Sequence, residues 1–373
     1  MNISILTADF SRNCYGRSYL LAKLLHSYHD VKVIGPQFGD TIWSPLANTR
    51  DIDIIPITVP YRTWNFVITI AELIQKCNSE IIYATKPLVT SFGLGILAKI
   101  KYRIPLILDI DDWELAPFYL RRGLRRMKNA INDINKPISF FPTYMMEKFI
   151  GSADYITVAS SVLKRKFGGL IIPHVRMVPP HARRVSGCND VTIMFLGTPR
   201  PHKGLEDLIA AFRLLKVNNV ILKIIGINSN DSYCKQIIAI AGKDPRIILM
   251  PAIPFGSLET TMSDVDIIVI PQRSTFVGET QTPAKLFDAM AYGKAIISTS
   301  VSDIPEVLND CGIIVEPANA DDLYDALKLL IENPQKRKTL GKKARDRCAS
   351  VYNYDDIAKK LSRYIEEAVC RNI

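Results

Sequence analysis

Two short segments of this chain combine the residue types that hold a diphosphate. The first, 195–208, reads FLGTPRPHKGLEDL: an apolar run ends at Gly197, a loop carries Arg200 and Lys203, and Gly204 opens a helical pattern. Both cations suit a pyrophosphate, each contact being worth up to about 4 kcal/mol at an effective dielectric of about 20 before desolvation. A loop whose cations are merely solvated fits the same residues. The second segment, 278–294, reads GETQTPAKLFDAMAYGK. Thr282 followed by Pro283 is a helix start, with a side-chain cap and a proline at the first helical position. Such a start aims free amides and the positive dipole end at an anion. Lys285 adds a cation, while Glu279 before the helix and Asp288 in its second turn are acceptor-only carboxylates suited to sugar and ribose hydroxyls. Leu286, Phe287 and Met290 read as core, and Asp288 also fits an exposed helical acid. A third group, Asp109, Asp111 and Asp112, ends an apolar run where a hydroxyl can be held or deprotonated, or where the carboxylates serve only as structural acceptors.

The elements that must position these residues alternate along the whole chain. Short apolar strands and helical patterns follow one another, the signature of parallel sheets covered by helices. The first half offers strands at 3–7, 31–35, 53–57, 80–84, 105–110 and 154–159, with a helix at 19–28 carrying Leu20, Leu21, Leu24 and Leu25 at helical spacing. A polar run at 181–187 has linker composition. A second series then begins, with strands at 191–196, 220–225, 246–250, 265–270, 295–298 and 312–315 and helices at about 205–216, 231–241, 283–292 and 321–332. The stretch 355–369 places Ile357, Leu361, Tyr364, Ile365 and Ala368 on one helical face, which must dock, and the first domain is the expected partner. The reading is therefore α/β, with doubly wound domains at 1–184 and 185–352 and a helix at 353–373 returning to the first.

Composition bounds the rest. At 373 residues, 48% hydrophobic and 23% charged, the chain suits two globular cores and neither a disordered nor a fibrous protein. The seven cysteines include no close pair of zinc or redox type, which predicts thiols in a reducing compartment. With no apolar stretch near ~18 residues, a cytoplasmic protein is expected. The formal charge of +10 resides in the first half: 24 Lys and Arg against 14 Asp and Glu over 1–188, and 23 of each thereafter. The densest basic cluster, 121–128, is flanked by Phe118, Tyr119, Phe140, Phe141, Tyr144, Met145 and Met146. Segment 118–146 suits peripheral contact with the inner face of an anionic membrane or a lipid-phosphate acceptor, or equally a solvated helix face. The histidines are scattered, with His26 and His29 expected to face solvent, and no zinc site is expected. No stacking motif accompanies the basic half, so no nucleic-acid partner is expected.

The segments 197–204, 263–271 and 286–297, together with 153–160 and 104–113 in the first half, resemble the retaining glycosyltransferases of GT-B fold called family 4, or glycosyl transferases group 1. Order and spacing match over nearly the whole chain. The resemblance implies two Rossmann-like domains facing a cleft and transfer of a hexose-type sugar from a nucleotide diphosphate sugar to a glycan, lipid-linked or small-molecule hydroxyl, with retention, as in polysaccharide biosynthesis. No cofactor and no essential metal are expected. Lys203 stands at the family's pyrophosphate-binding lysine. Its partner arginine normally follows the first glycine, where this chain has Thr198, with Arg200 two residues on. Asp288 stands at the family's ribose-binding acid, usually glutamate. The first acid of that pair falls at Thr280, with Glu279 adjacent, and Gln281, Thr282 and Pro283 replace a glycine-rich turn, which makes Thr282 and its neighbouring amides the phosphate contacts. Asp111 occupies the place of a common histidine. Asn13, Tyr15, Gly16 and Arg17 correspond to a loop facing the donor phosphates. The catalytic candidates are thus Asp111, Asp112 and Glu279, and the donor-binding candidates Gly16, Arg17, Gly197, Arg200, Lys203, Thr280, Thr282, Lys285 and Asp288.

Three rivals share parts of this pattern. A manganese-dependent transferase would use Asp-x-Asp pairs such as 51–53, 109–111 or 264–266, but two successive Rossmann-like halves argue against it. A nucleotide-sugar 2-epimerase has the same architecture and acts without an acceptor. A non-catalytic nucleotide-sugar-binding module would bind without turnover. A nicotinamide dehydrogenase is disfavoured because neither first-strand loop carries Gly-x-Gly-x-x-Gly.

Overall fold

The computed structural model describes residues 1–119, 133, 135–180 and 190–370. The basic cluster 121–128 and the polar run 181–187 lie outside the described residues. The chain forms two units, Met1–His174 with Asp355–Ile373, and Val175–Tyr354.

In the first unit, seven strands form one sheet in the order β3-β2-β1-β4-β5-β6-β7. They are β1 (Asn2–Leu6), β2 (Asp30–Gln37), β3 (Asp53–Thr58), β4 (Ile81–Thr85), β5 (Leu106–Ile110), β6 (Tyr155–Val158) and β7 (Leu170–Ile171). All their pairings are parallel. β4 and β5 are buried at every residue, which is why they read in sequence as unbroken apolar runs. The helices are α1 (Tyr15–His26), α2 (Thr63–Lys76), α3 (Leu94–Tyr102), α4 (Ala116–Tyr119), α5 (Phe140–Lys148) and α6 (Ser161–Phe167).

The second unit holds six strands in the order β10-β9-β8-β11-β12-β13, again all parallel. These are β8 (Val191–Leu196), β9 (Val220–Ile225), β10 (Ile247–Met250), β11 (Ile267–Ile270), β12 (Ala295–Thr299) and β13 (Ile313–Val315). Its helices are α7 (Leu205–Leu214), α8 (Ser232–Ala241), α9 (Leu258–Ser263), α10 (Ala284–Ala291), α11 (Ile304–Leu308), α12 (Ala320–Glu332) and α13 (Pro334–Ser350). Two buried clusters cover the two sides of the sheet, one built on Leu208, Phe212 and Leu327, the other on Leu286, Phe287 and Met290.

The amphipathic stretch beyond the second unit is α14 (Tyr354–Cys370), and it belongs to the first unit. Its Leu361, Ile365 and Ala368 are fully buried. Burying a leucine or isoleucine contributes about 1.5–3 kcal/mol, so these side chains favour docking of the helix on the first unit. The Tyr364 hydroxyl donates to the Ile156 carbonyl at 3.2 Å, and the Tyr155 and Tyr364 rings meet edge to face. His29 corrects the expectation of a solvent-facing histidine: it lies beyond the end of α1, and its Nε2 is 2.8 Å from the Ser362 hydroxyl on α14.

The units divide at His174, ten residues before the boundary read from the linker composition. Arg176 already ion-pairs with Asp288 of the second unit, and the Arg345 guanidinium takes the Pro179 carbonyl, so 175–180 is bound to that unit before the polar run begins.

Candidate functional site

In a doubly wound sheet, ligands bind beyond the carboxyl ends of the strands at the point where strand order reverses. In the second unit that point lies between β8 and β11. The loops leaving those two strands are the ones singled out in the sequence. After β8 the chain turns at Gly197, whose φ is +143°, and a 3-10 turn at Pro201–Lys203 presents Lys203. Gly204, at φ +64°, then starts α7. A Cβ there would fall 1.9 Å from the Pro271 carbonyl oxygen, so only glycine lets this turn lie against the end of β11.

Two glutamines fix the loop after β11: Gln281, read in the sequence only as part of the turn before the helix, and Gln272, which the sequence reading did not single out. Gln272 is fully buried, and its amide donates to the carbonyls of Gly278 at 2.7 Å and Gln281 at 2.8 Å. The Lys203 ammonium donates to the Gln281 side-chain oxygen and, at 3.4 Å, to that of Gln272. Arg273 reinforces the junction with paired 2.7 Å bonds to Asp207 on α7, and its amide donates to the His202 carbonyl. Lys203 is thereby carried to the segment that leads into α10, where its ammonium meets the side-chain oxygens of two neutral amides.

Among the other donor-side candidates, some are brought together and some are turned away. Lys285 passes over Gly197, its Cγ 4.0 Å from the point a Cβ would occupy there. Arg200 points instead toward Asp231, 3.0 Å away, whose carboxylate also caps α8. Exposed pairs of this kind are worth about 0–1 kcal/mol, so the tie is weak. Thr280 turns back on its own loop, its hydroxyl donating to the Phe276 carbonyl. The Glu279 carboxylate accepts from the Ser274 hydroxyl at 2.5 Å and from the Ser302 amide at 3.2 Å. The expected cap is corrected: α10 starts one residue late, with Pro283 rather than Thr282 at the N-cap position and no side-chain cap bond, and Thr282 is buried 3.5 Å from the Ser302 hydroxyl.

Asp288 also departs from expectation. It is completely buried, with Arg176 Nε at 2.5 Å and the Lys285 ammonium at 3.2 Å. Burial pushes its carboxyl upward, but Arg176 and Lys285 outweigh that and hold it below the usual carboxylate range. A carboxylate with no exposed surface cannot touch a ribose in this structure; it anchors Arg176. Arg176 was not legible beforehand because it lies 112 residues away, in a segment without regular structure.

In the first unit the reversal of strand order lies between β1 and β4. Lys86, directly after β4, has a left-handed φ of +69°, which costs a non-glycine residue about 1–3 kcal/mol. That strain holds a buried ammonium 2.8 Å from Asp111, 3.1 Å from Asp112 and 2.5 Å from Glu114. The three carboxylate groups are close enough to share one cation, and Lys86 lies within contact of each. Burial, opposed by Lys86 and assisted by Asp112 and Asp109, raises Asp111 to about 7.

Arg17 requires a correction. It is not in a phosphate-facing loop but in the first turn of α1, buried, with Nε and Nη2 bonded to Asp109 at 2.8 and 2.7 Å and Nη2 also to the Ile172 carbonyl. Thr157 supplies a further bond to Asp109. Gly16 lies in the same turn, and a Cβ there would approach the Trp43 ring to 3.1 Å. Arg17 is thus tied to Asp109, while Gly16 is half-buried beside Trp43. The 109–111 Asp-x-Asp pair is split between two cations, Asp109 taking Arg17 and Asp111 taking Lys86.

Two doubly wound parallel sheets of this order are the architecture of the GT-B glycosyltransferases. Sucrose-phosphate synthase from Thermosynechococcus elongatus is similar over 100% of both chains, with a TM-score of 0.73 and 15% identity. HepE of Anabaena, solved in complex with UDP and glucose, is similar over 98% of this chain and 99% of its own, with a TM-score of 0.75 and 18% identity. Residues 182–347 match the family described as glycosyl transferases group 1. An MMP alpha-(1->4)-mannosyltransferase of Mycolicibacterium hassiacum is 26% identical over 175 residues, 46% of this chain and 41% of that protein. The chain spans about two fifths of the length of the curated relatives it matches.

Proposed function

We propose that this chain transfers a hexose-type sugar from a nucleotide diphosphate sugar to a hydroxyl of a glycan, lipid-linked or small-molecule acceptor, with retention at the anomeric carbon. The observation that carries this reading is Lys203, held by Gln272 and Gln281 at the switch point of the second sheet, beside the uncapped start of α10. As the bond from the anomeric carbon to the phosphate oxygen breaks, negative charge collects on the departing diphosphate. A fixed ammonium and the first amides of α10 stabilise that charge without reorganising. The acceptor oxygen bonds to the anomeric carbon on the face the diphosphate leaves, and its proton passes to the leaving phosphate oxygen or to a carboxylate. Because protein cations supply the charge, no metal is required.

The test is incubation of the full chain with a panel of nucleotide sugars and hydroxyl acceptors, with and without EDTA. Diphosphate release that depends on acceptor and survives EDTA supports the reading, and an α-linked product from an α-linked donor supports retention. Epimerised nucleotide sugar formed without acceptor, or binding without release, overturns it.

On the first unit, Asp111 is the carboxylate suited to take up a proton or hold an acceptor hydroxyl. Its folded value of about 7 lies above the ordinary 3.8, so the protonated form is favoured by folding. That contribution to stability is complete below pH 3.8 and lost as pH rises to about 7, the window in which the carboxylate appears. The expected pH profile of kcat/KM rises with pH and levels off above about 7. Asp111→Asn is expected to flatten the rising limb. An unaltered profile in that variant removes Asp111 from the reaction.

A further inference from the structure

One side of the first sheet is covered by α2, α3, α5 and α6, whose inward residues share a single buried cluster that includes Phe66, Leu73, Leu94, Ala98 and Leu163. The outward side of this layer is unusually apolar. α2 buries Phe66, Leu73 and Ile74 but also carries Trp64, Val67 and Ile68 on its outer stripe, with Trp64 73% and Ile68 63% exposed. The apolar arc of α2 thus runs well past its buried stripe, leaving a polar face of Asn65, Thr69, Glu72 and Lys76 on the remainder. α3 repeats the pattern, with Leu94 and Ala98 inward and Leu97 and Ile100 outward, Ile100 being 69% exposed.

The three helices are neighbours. The Tyr102 hydroxyl at the end of α3 donates to the Ile74 carbonyl near the end of α2 at 3.1 Å. Met146 of α5 packs on Gly93, immediately before α3. α5 adds exposed Phe141, Tyr144 and Met145, and the Lys148 ammonium lies 5.3 Å from the Tyr144 ring centroid. The charges on these helices and their ends are mostly positive: Arg62, Lys76, Lys101, Arg103 and Lys148 are exposed, against one exposed acid, Glu72.

We infer that the outer face of α2, α3 and α5 docks on an anionic lipid bilayer. Apolar and aromatic side chains enter the boundary between headgroups and acyl chains, where tryptophan and tyrosine concentrate, while lysine and arginine stems lie along it with their charges among the headgroups. A second copy of this chain is the poorer occupant, because two such faces bring like-charged residues together, whereas an anionic bilayer pairs them. The contact is peripheral: no helix among the described residues is long and apolar enough to cross a membrane. It keeps Phe141, Tyr144 and Met145 of the segment marked by the sequence and adds the outer faces of α2 and α3.

The experiment is flotation of the full chain with vesicles of phosphatidylcholine alone and with phosphatidylglycerol added, scored without nucleotide sugar so that its failure is separate from a failure of sugar transfer. The protein is expected to float with the anionic vesicles, less so at high salt, and not with the neutral ones. The variant Trp64→Ser/Ile68→Ser/Ile100→Ser is expected to bind at least about tenfold more weakly with an unchanged unfolding midpoint, because it removes only exposed apolar side chains. Lys101→Glu/Arg103→Glu is expected to weaken anionic binding alone. No flotation of the parent protein, equal flotation of the apolar variant, or a parent dimer that this variant makes monomeric overturns the inference.

Discussion

Lys203→Ala is expected to lower kcat/KM for sugar transfer by about 10²–10³-fold, the usual effect of removing one fixed charge from a site where negative charge develops. The fold should persist. The Lys203 side chain bonds to the amide oxygens of Gln272 and Gln281, while the loop it touches is also held by the Gln272 amide and by Arg273 with Asp207. Those bonds survive the substitution. Turnover and calorimetric titration with nucleoside diphosphate should therefore both fall while the unfolding midpoint stays in place. Lys203→Arg keeps the charge and is expected to recover part of the loss, which a purely structural lysine would not require. Parent-like turnover by the alanine variant removes the diphosphate site from this loop.

The largest expected loss of stability comes from Arg17→Met. The substitution leaves the fully buried Asp109 with only neutral partners in direct contact, Thr157 among them. Breaking one side of a buried ion pair costs about 3–5 kcal/mol, because the surviving charge is left without compensation. Urea unfolding should show an early transition for the first unit, followed by a second-unit transition close to that of the parent. The double substitution Arg17→Met/Asp109→Leu removes both charges and should recover much of the loss. If Arg17→Met alone unfolds at the parent midpoint, the pair carries no net stabilisation, and Arg17 regains its claim as a ligand for phosphate.

The contrast between these two residues explains what was legible from the sequence. Strands of parallel sheets are covered on both faces, so β4, β5, β11 and β12 announce themselves as apolar runs. β7 escaped because two residues carry no period. Lys203 was readable from its loop because a glycine and a cation at the end of a strand form a local pattern. Arg17 was misassigned because its partner lies 92 residues away, and local spacing does not encode which side of a helix meets Asp109. Lys86 was invisible for another reason: its left-handed backbone is imposed by the surrounding structure, and a lysine in that conformation leaves no compositional trace. Gln272 and Gln281 act through amides that any polar loop contains.

The return of α14 to the first unit also has a consequence for biosynthesis. Residues 175–354 are contiguous, so that unit can close as soon as the ribosome has released it. The earlier unit must wait with the surface that receives Leu361 and Ile365 uncovered until translation has passed residue 370. The domain made first thus cannot complete its core before the last helix is made, unlike the usual case in which it is finished first.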